Sequence, residues 1–312
     1  MRRRQLLAAT AASALAPFAA LGQVPGTIRA ATSAVEEFAL PYYADQKGFF
    51  RDAGLNVDLR LIVGGGVVTQ ALVAGALDVA VTNSGSMSLA YVHGLPLYLL
   101  APCSLYTRAQ PSAHIVVLKN SPIREAKDLI GKTIGVTTLH DMIQAAVMAW
   151  IDGHGGSAKD AKFFEVTNPQ MQAALENNRI DAAAVVEPVF SRLSNTVTSI
   201  GLPYESVNNG NPFQTTGVIG YKPWVDANRS LAARFAQVIL HTSEWANNHP
   251  AEVTPLLAQL SKIDPAILEA IHRVQYATKT DSLLMQPVID KLARYDFLPR
   301  AFPASDMTLR DV

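Results

Sequence analysis

The chain has a single cysteine, no net charge and, past its first residues, no long apolar run, and each shortage excludes something. With Cys103 alone, no internal disulfide can form, so the fold must be held by its core. Cys103 falls within the apolar stretch Leu97–Leu105, where a buried small hydrophobe is expected rather than a reactive thiol. The 26 basic and 26 acidic residues cancel and form no block of one sign, which speaks against a nucleic-acid or acidic-membrane surface. No low-complexity tract follows the first residues, and no apolar run there is long enough to span a membrane. The seven histidines are scattered, and none stands at metal-ligand spacing from His140. No metal site and no cofactor are expected. His93, His114, His154, His241, His249 and His272 are expected in surface or capping roles.

What the chain does contain begins with an export signal. Arg2-Arg3-Arg4 precedes Gln5-Leu6-Leu7 and an alanine-rich stretch through Leu21, with small residues about Ala20-Leu21-Gly22. Residues 1–22 read as a signal peptide removed near Gly22, and Arg3-Arg4-Gln5-Leu6-Leu7 is similar to a twin-arginine motif. No cysteine lies there to carry a lipid, so the product is expected to be soluble in the periplasm.

From residue 27 the pattern alternates strands and helices. Thr27–Thr32 reads as a strand, Pro41 as the first turn of a helix, and Asn56–Val63 as a strand alternating Val57, Leu59, Leu61 and Val63 against Asn56, Asp58 and Arg60. Gly64-Gly65-Gly66 breaks that strand ahead of a helix stopped at Gly75. Asp78–Thr82 is the next strand, and Asn83-Ser84-Gly85-Ser86 opens the next helix. A second set follows: strand Lys132–Thr137, a helix opened by Thr138, strand Ala161–Val166, helix Gln170–Asn178 and strand Asp181–Val186. The sets align at a displacement of 103 positions, which carries Ala71 to Ala174, Asp78 to Asp181 and Val63 to Val166. Two copies of a long unit are too few for a solenoid. They predict two equivalent α/β lobes, each a mainly parallel sheet flanked by helices.

The remaining chain is a short strand, Thr216–Tyr221, and then largely helical. The polar run Val207–Pro212 reads as a linker, and Ser112–Leu118 as the other crossing between lobes. The first lobe is thus expected from 27–112 plus 213–312, and the second from 113–212.

Several phrases then carry a resemblance. They are Tyr43-Ala44-Asp45-Gln46-Lys47-Gly48-Phe49-Phe50 with Gly54-Leu55-Asn56-Val57, the run Ala71–Ala80, the run Asp128–Val136, and Val185-Val186-Glu187-Pro188. In this order, and over essentially the whole mature chain, the sequence resembles the type II periplasmic solute-binding proteins of ABC transporters. The nearest group is that of the nitrate, sulfonate and taurine receptors and their thiamine-precursor-binding relatives. The resemblance implies two lobes joined by two crossing segments and closing on a small molecule, a membrane permease as transient partner, and no catalysis. A monomer is expected.

In open α/β sheets ligands bind beyond the carboxyl ends of the strands, where helices begin. That places Ser33, Phe38, Gly65, Gly66, Asn83, Ser84, Thr137, Thr138, His140, Asp141 and Glu187 about the cleft, with Phe213 at its edge or hinge. Helix starts attract anions, which suits a sulfonate or carboxylate. Glu187, the equivalent of Ser84, opposes a bare anion and suits a ligand with a donor or cationic group; it could also cap a helix. Thr138 and Asp141 match a capping box, leaving His140 free to reach the cleft. Phe38 could stack on a ring, Tyr43 and Phe49 belong to the packing, and Glu36 and Glu37 are expected exposed at the rim. Two rival functions share the fold. A periplasmic dehydratase would need a positioned acid and base, for which Glu187 and His140 are the candidates; a relative of the pyrimidine-precursor synthase would need a cysteine-rich motif that one cysteine cannot supply. The other rival is a ligand sensor or the receptor of a non-ABC transporter.

Overall fold

The structure is a computed structural model that describes residues 26–62 and 64–309. The signal expected at 1–22 and Val63 lie outside the described residues. In chain order the strands are β1 (Thr27–Thr32), β2 (Asn56–Leu61), β3 (Val79–Asn83), β4 (Leu97–Pro102), β5 (Ser104–Tyr106), β6 (Ala113–Leu118) and β7 (Thr133–Val136). They continue with β8 (Lys162–Glu165), β9 (Ala182–Val186), β10 (Val197–Gly201), β11 (Phe213–Gln214), β12 (Thr216–Tyr221) and β13 (Gln275–Tyr276).

Two five-stranded sheets result, ordered β2-β1-β3-β12-β4 and β8-β7-β9-β6-β10. These are one topology written twice. In each, the first three strands are parallel and the fourth runs antiparallel to its neighbours on both sides. The central strands β3 and β9 are short, apolar and buried over their first four residues, as strands covered by helices on both faces must be. The edge strands β2 and β8 are half-exposed and carry the charges.

The alignment at 103 positions is physical. Asp78 accepts the backbone N–H of Arg29 at 2.8 Å, and Asp181 accepts that of Thr133 at 2.8 Å. Each aspartate, one residue before the central strand, therefore pins the start of the neighbouring parallel strand. Its own N–H returns a bond to the same residue's carbonyl, at 2.8 Å in both lobes. In the first lobe Gly75, at φ 68°, supplies the left-handed turn before Asp78. Its carbonyl accepts from the Arg29 guanidinium.

Two segments cross between the sheets, Cys103–Ser112 outward and Leu202–Thr215 on the return. They run side by side as β5 and β11 in a three-stranded antiparallel sheet completed by β13. Tyr106, Tyr204 and Phe213 pack there, with Tyr106 and Phe213 stacked at 5.2 Å and Tyr204 edge-on to Phe213 at 5.5 Å.

One core fills the outer side of the first sheet, with Leu40, Tyr43, Phe50, Phe235 and Leu257. A smaller one lies behind the second sheet, with Met171, Leu175 and Leu193. The third runs unbroken through both lobes, from Leu72 and Met87 through Tyr106 to Ile115, Val147 and Trp150. The helix Gln286–Arg294 belongs to it, burying Val288, Ile289 and Leu292. Tyr295, just beyond that helix, donates its hydroxyl to Asp152 of the second lobe at 2.9 Å. The lobes are therefore shut against each other. Among the described residues no helix is long and apolar enough to cross a membrane.

Candidate functional site

The carboxyl ends of the parallel strands in the two sheets face one another, and two helix starts meet there. Asn83, at the end of β3, caps the helix Ser84–Val92 by accepting the N–H of Ser86 at 2.7 Å. Across the cleft the helix Met142–Gly153 starts at Asp141, whose Oδ1 accepts the N–H of Met142 at 2.6 Å. The expected capping box with Thr138 does not form. Thr138 is exposed and lies ahead of the helix, because residues 137–141 turn first, with His140 in the left-handed region at φ 56°. The turn leaves Asp141 Oδ2 for the other lobe, where it accepts from Asn83 Nδ2 at 3.0 Å and Ser86 Oγ at 3.2 Å. One buried carboxylate thus joins both helix starts. Burial raises its pKa, opposed by the bonds from Met142, Asn83 and Ser86.

The approach depends on Gly85. A Cβ at that position would stand 1.9 Å from Asp141 Oδ1 and 2.8 Å from the backbone nitrogen of Met142. Gly85→Ala should force the lobes apart and cost about 1–3 kcal/mol. Small-angle scattering checks this: the variant should show a larger radius of gyration than the parent, and an unchanged radius would refute the contact.

Ser84 and Glu187 occupy equivalent positions. Ser84 donates its N–H to the Thr215 carbonyl at 2.9 Å, and Glu187 donates its own to the Ser112 carbonyl at 2.8 Å. Their side chains then diverge. Ser84 is fully buried, and its hydroxyl turns to the crossing, donating to the Gln214 carbonyl at 2.8 Å. Glu187 is also buried and accepts from Ser191 Oγ at 3.0 Å and Ser191 N at 3.1 Å, so it does cap the following helix. Burial raises its carboxyl pKa, opposed first by Ser191 and then by His272.

Glu36 and Glu37 correct the sequence expectation most sharply. They are 1% and 5% exposed, not rim residues. A short turn, Glu36–Phe38, directly after β1 carries both carboxylates inward. Glu36 accepts from Arg273 Nε at 2.5 Å, and its second oxygen has no partner. Glu37 accepts from Ser112 Oγ at 3.2 Å, while its carbonyl accepts from Thr216 Oγ1 at 2.6 Å. Burial pushes the Glu37 carboxyl up to about 7; the Ser112 bond opposes this and the Glu36 charge adds to it. His114 is likewise buried rather than superficial. Its ring stacks on Phe190 at 3.8 Å, and burial, followed by the charge of His272, lowers its pKa to about 4.

The crossings contribute further polar groups. Ser104 Oγ lies 2.6 Å from the hydroxyls of both Thr215 and Thr216. Gln214 is 1% exposed, yet neither atom of its side-chain amide has a partner, and the Thr82 hydroxyl is likewise buried and unpartnered. Gln214 Nε2 lies 2.8 Å from where a Cβ on Gly217 would stand, and Gly217 pairs with Thr82 across the strands. A buried amide left without partners is costly, and a ligand group is one means of satisfying it.

The other candidates sit around this centre. Gly65 backs onto Ser86 and Thr82 so closely that a Cβ would stand 2.3 Å from Ser86 Oγ. Gly66 is exposed with open space about it, and Ser33 and Thr137 are half-buried. Phe38 packs on the first lobe's core, and Phe213 is locked into the crossing cluster. His140 is exposed, edge-on to Phe297 at 5.2 Å. Among the described residues no hydrogen bond joins it to Glu187, whose carboxylate is bonded to Ser191 instead. An open cavity of about 550 Å³ is lined by Lys119, Arg124, Thr198, Ser199 and Ile200, and one of about 410 Å³ includes Arg108, Asp152, Lys291 and Arg294. Neither takes in a candidate residue. Among the described residues no group of three His, Cys, Asp or Glu side chains is placed to hold a metal. Cys103 is buried, and burial pushes its thiol pKa far above the usual range.

Sequence reading set Glu37 at the rim, Gln214 beside Phe213 at the hinge or cleft edge, Ser112 in a crossing and His114 in a surface or capping role, and did not gather them into one group. The available signal was polarity in the wrong place: hydroxyls at Ser104, Thr215 and Thr216 bordering otherwise apolar strands.

Comparison with known proteins agrees with the fold. The profile described as NMT1/THI5 like matches residues 36–253. A candidate binding protein of Brucella abortus (strain 2308) is 23% identical over 278 residues, covering 86% of this chain and 82% of its own. A formylaminopyrimidine-binding protein of Halalkalibacterium halodurans is 22% identical over 237 residues, covering 75% of this chain and 69% of its own. Among solved structures, the alkanesulfonate-binding protein SsuA from Xanthomonas axonopodis pv. citri superposes with a TM-score of 0.76 at 16% identity, over 92% of this chain and 99% of its own. The desulfurization enzyme DszB shares the fold at a TM-score of 0.68 and 14% identity, over 91% and 96%.

Proposed function

The chain belongs to the NMT1/THI5-like family, and from that membership we propose that it is a solute-binding protein, closing two lobes on a small organic molecule and presenting it to an ABC-type permease. The observation that carries this reading is where the buried polar groups come from. Buried Glu37 follows β1 and half-buried Asn83 ends β3 in the first sheet, buried Asp141 and Glu187 follow strands of the second, and buried Gln214 belongs to a crossing. A site assembled from both lobes and a crossing is complete only when the lobes are shut, which couples occupancy to shape.

In this reading the lobes are 27–112 plus 213–312 and 113–212, and the protein works as a soluble periplasmic monomer after loss of residues 1–22. Sulfonates, carboxylates and pyrimidine-like rings are the ligand classes this reading starts from. Buried carboxylates at Glu36, Glu37 and Glu187 favour one that carries hydrogen-bond donors. Of the sequence candidates, Asn83, Asp141 and Glu187 are retained as ligand-facing, and Glu37, Thr82 and Gln214 join them.

Catalysis is the second reading, and one observation favours it: a carboxyl with a pKa of about 7, that of Glu37, is suited to both give and take a proton. One experiment weighs both. Purified protein is incubated with extract of its host, washed, and denatured, and the released small molecule is identified by mass spectrometry before and after long incubation with fresh protein. Release of one unaltered compound in near-stoichiometric amount is expected. Release of nothing would sink the binding reading, and conversion of the compound would establish the enzyme.

A further inference from the structure

The start of helix Ser84–Val92 has the makings of an anion site, with a positive dipole end and the Asn83 amide and Ser86 hydroxyl beside it, although the N–H groups of Ser84 and Ser86 are already given to the Thr215 carbonyl and to Asn83. In this protein the place is taken. Asp141 reaches it from the opposite lobe, with Oδ2 accepting from Asn83 at 3.0 Å and from Ser86 at 3.2 Å. Its Oδ1 lies against the Gly85 backbone, 1.9 Å from where a Cβ would be, so no second anion fits between. The neighbouring charges do not invite one. Tyr204 lies within the fields of both Asp141 and Glu37, and the half-buried cation Arg273 is engaged by Glu36.

Building on the solute-binding reading, we infer that Asp141 is the internal occupant of the first lobe's anion site, so that this protein excludes sulfonates, carboxylates and nitrate and takes a neutral or cationic ligand bearing hydrogen-bond donors. Asp141 is then a specificity-determining residue. Its carboxylate holds the lobes together where a ligand's acidic group would otherwise do so, and an incoming anion must compete with it. A purely structural role would be that of a cap for helix Met142–Gly153, through the bond to Met142. The two roles separate chemically, because serine caps a helix nearly as well as aspartate but carries no charge.

The test is isothermal titration with ethanesulfonate and with sodium nitrate on the parent and on Asp141→Ser, with Asp141→Asn as the second variant should the first fail to fold. The parent is expected to bind either anion only weakly, with the uncharged variant at least ten-fold tighter for ethanesulfonate. Equal affinities, absence of binding by both proteins, or tighter binding by the parent would overturn the inference. Capture of a sulfonate or carboxylate by the parent from host extract would also overturn it while leaving the solute-binding reading intact. Capture of nothing would strike that reading instead, independently of how the anion titrations come out.

Discussion

Asp78→Ala is expected to lose about 3–5 kcal/mol of folding stability, and Asp181→Ala only about 1 kcal/mol, although the two residues hold equivalent places in the two lobes. Both pin a parallel strand through a 2.8 Å bond from its backbone N–H. The difference lies in what surrounds them. Asp78 is 2% exposed and also accepts from Arg29 Nε at 3.0 Å and Nη2 at 2.5 Å. Removing it leaves a largely buried guanidinium without its counter-charge and an N–H without a partner. The Asp181 side chain is 41% exposed, and its ion pair with Lys132 is a loose 3.8 Å contact in water. Solvent can replace what that substitution removes. Urea unfolding of the two variants measures the difference directly. Equal losses would mean that the repeat is geometric only, with no asymmetry between the lobes.

Glu37→Gln is expected to make the protein more stable at pH 8, by up to about 3 kcal/mol, and to change it by less than about 1 kcal/mol at pH 5. Burial raises the Glu37 carboxyl from 4.5 in the unfolded chain to about 7 in the folded one. Between those values the folded state holds the proton more tightly. The stabilisation is complete below 4.5 and is lost as pH rises through about 7, leaving an ionised carboxylate buried at pH 8. Glutamine has no charge to bury and can still accept from Ser112. His114 runs the other way. Its pKa is lowered from 6.5 to about 4, so it contributes stability above 6.5 that is lost as pH falls through about 4. Both proteins carry His114, so its contribution cancels in the comparison. Denaturant melts of parent and variant at the two pH values decide the matter, and a gain of equal size at both would rule out ionisation as its cause.

The predicted elements follow the observed ones closely where local patterns control them. Thr27–Thr32 and Thr216–Tyr221 are strands over the residues expected, and helix Gly65–Val73 ends just before the glycine that stops it. Those boundaries rest on glycine, proline and apolar alternation, which act within a few residues. Elsewhere the local pattern misleads. Thr138-Leu139-His140-Asp141 has the letters of a capping box, yet the helix starts at Met142 because Asp141 is held by Asn83 and Ser86, residues 58 and 55 positions away. The paired acids Glu36-Glu37 have the look of a solvated face. They are buried because Arg273 and Ser112, 237 and 75 positions away, come to meet them.

By itself, then, the sequence determined the repeated unit, the class of fold and the equivalence of Ser84 with Glu187, since all three follow from periodicity and from one constant displacement. Only the tertiary structure decided the chemistry of the cleft. Whether a carboxylate is exposed, capping a helix, or shared between two lobes depends on donors brought from distant parts of the chain. Burial, which sets the ionisation of Glu37 and Asp141, is a property of the closed pair of lobes rather than of either segment alone.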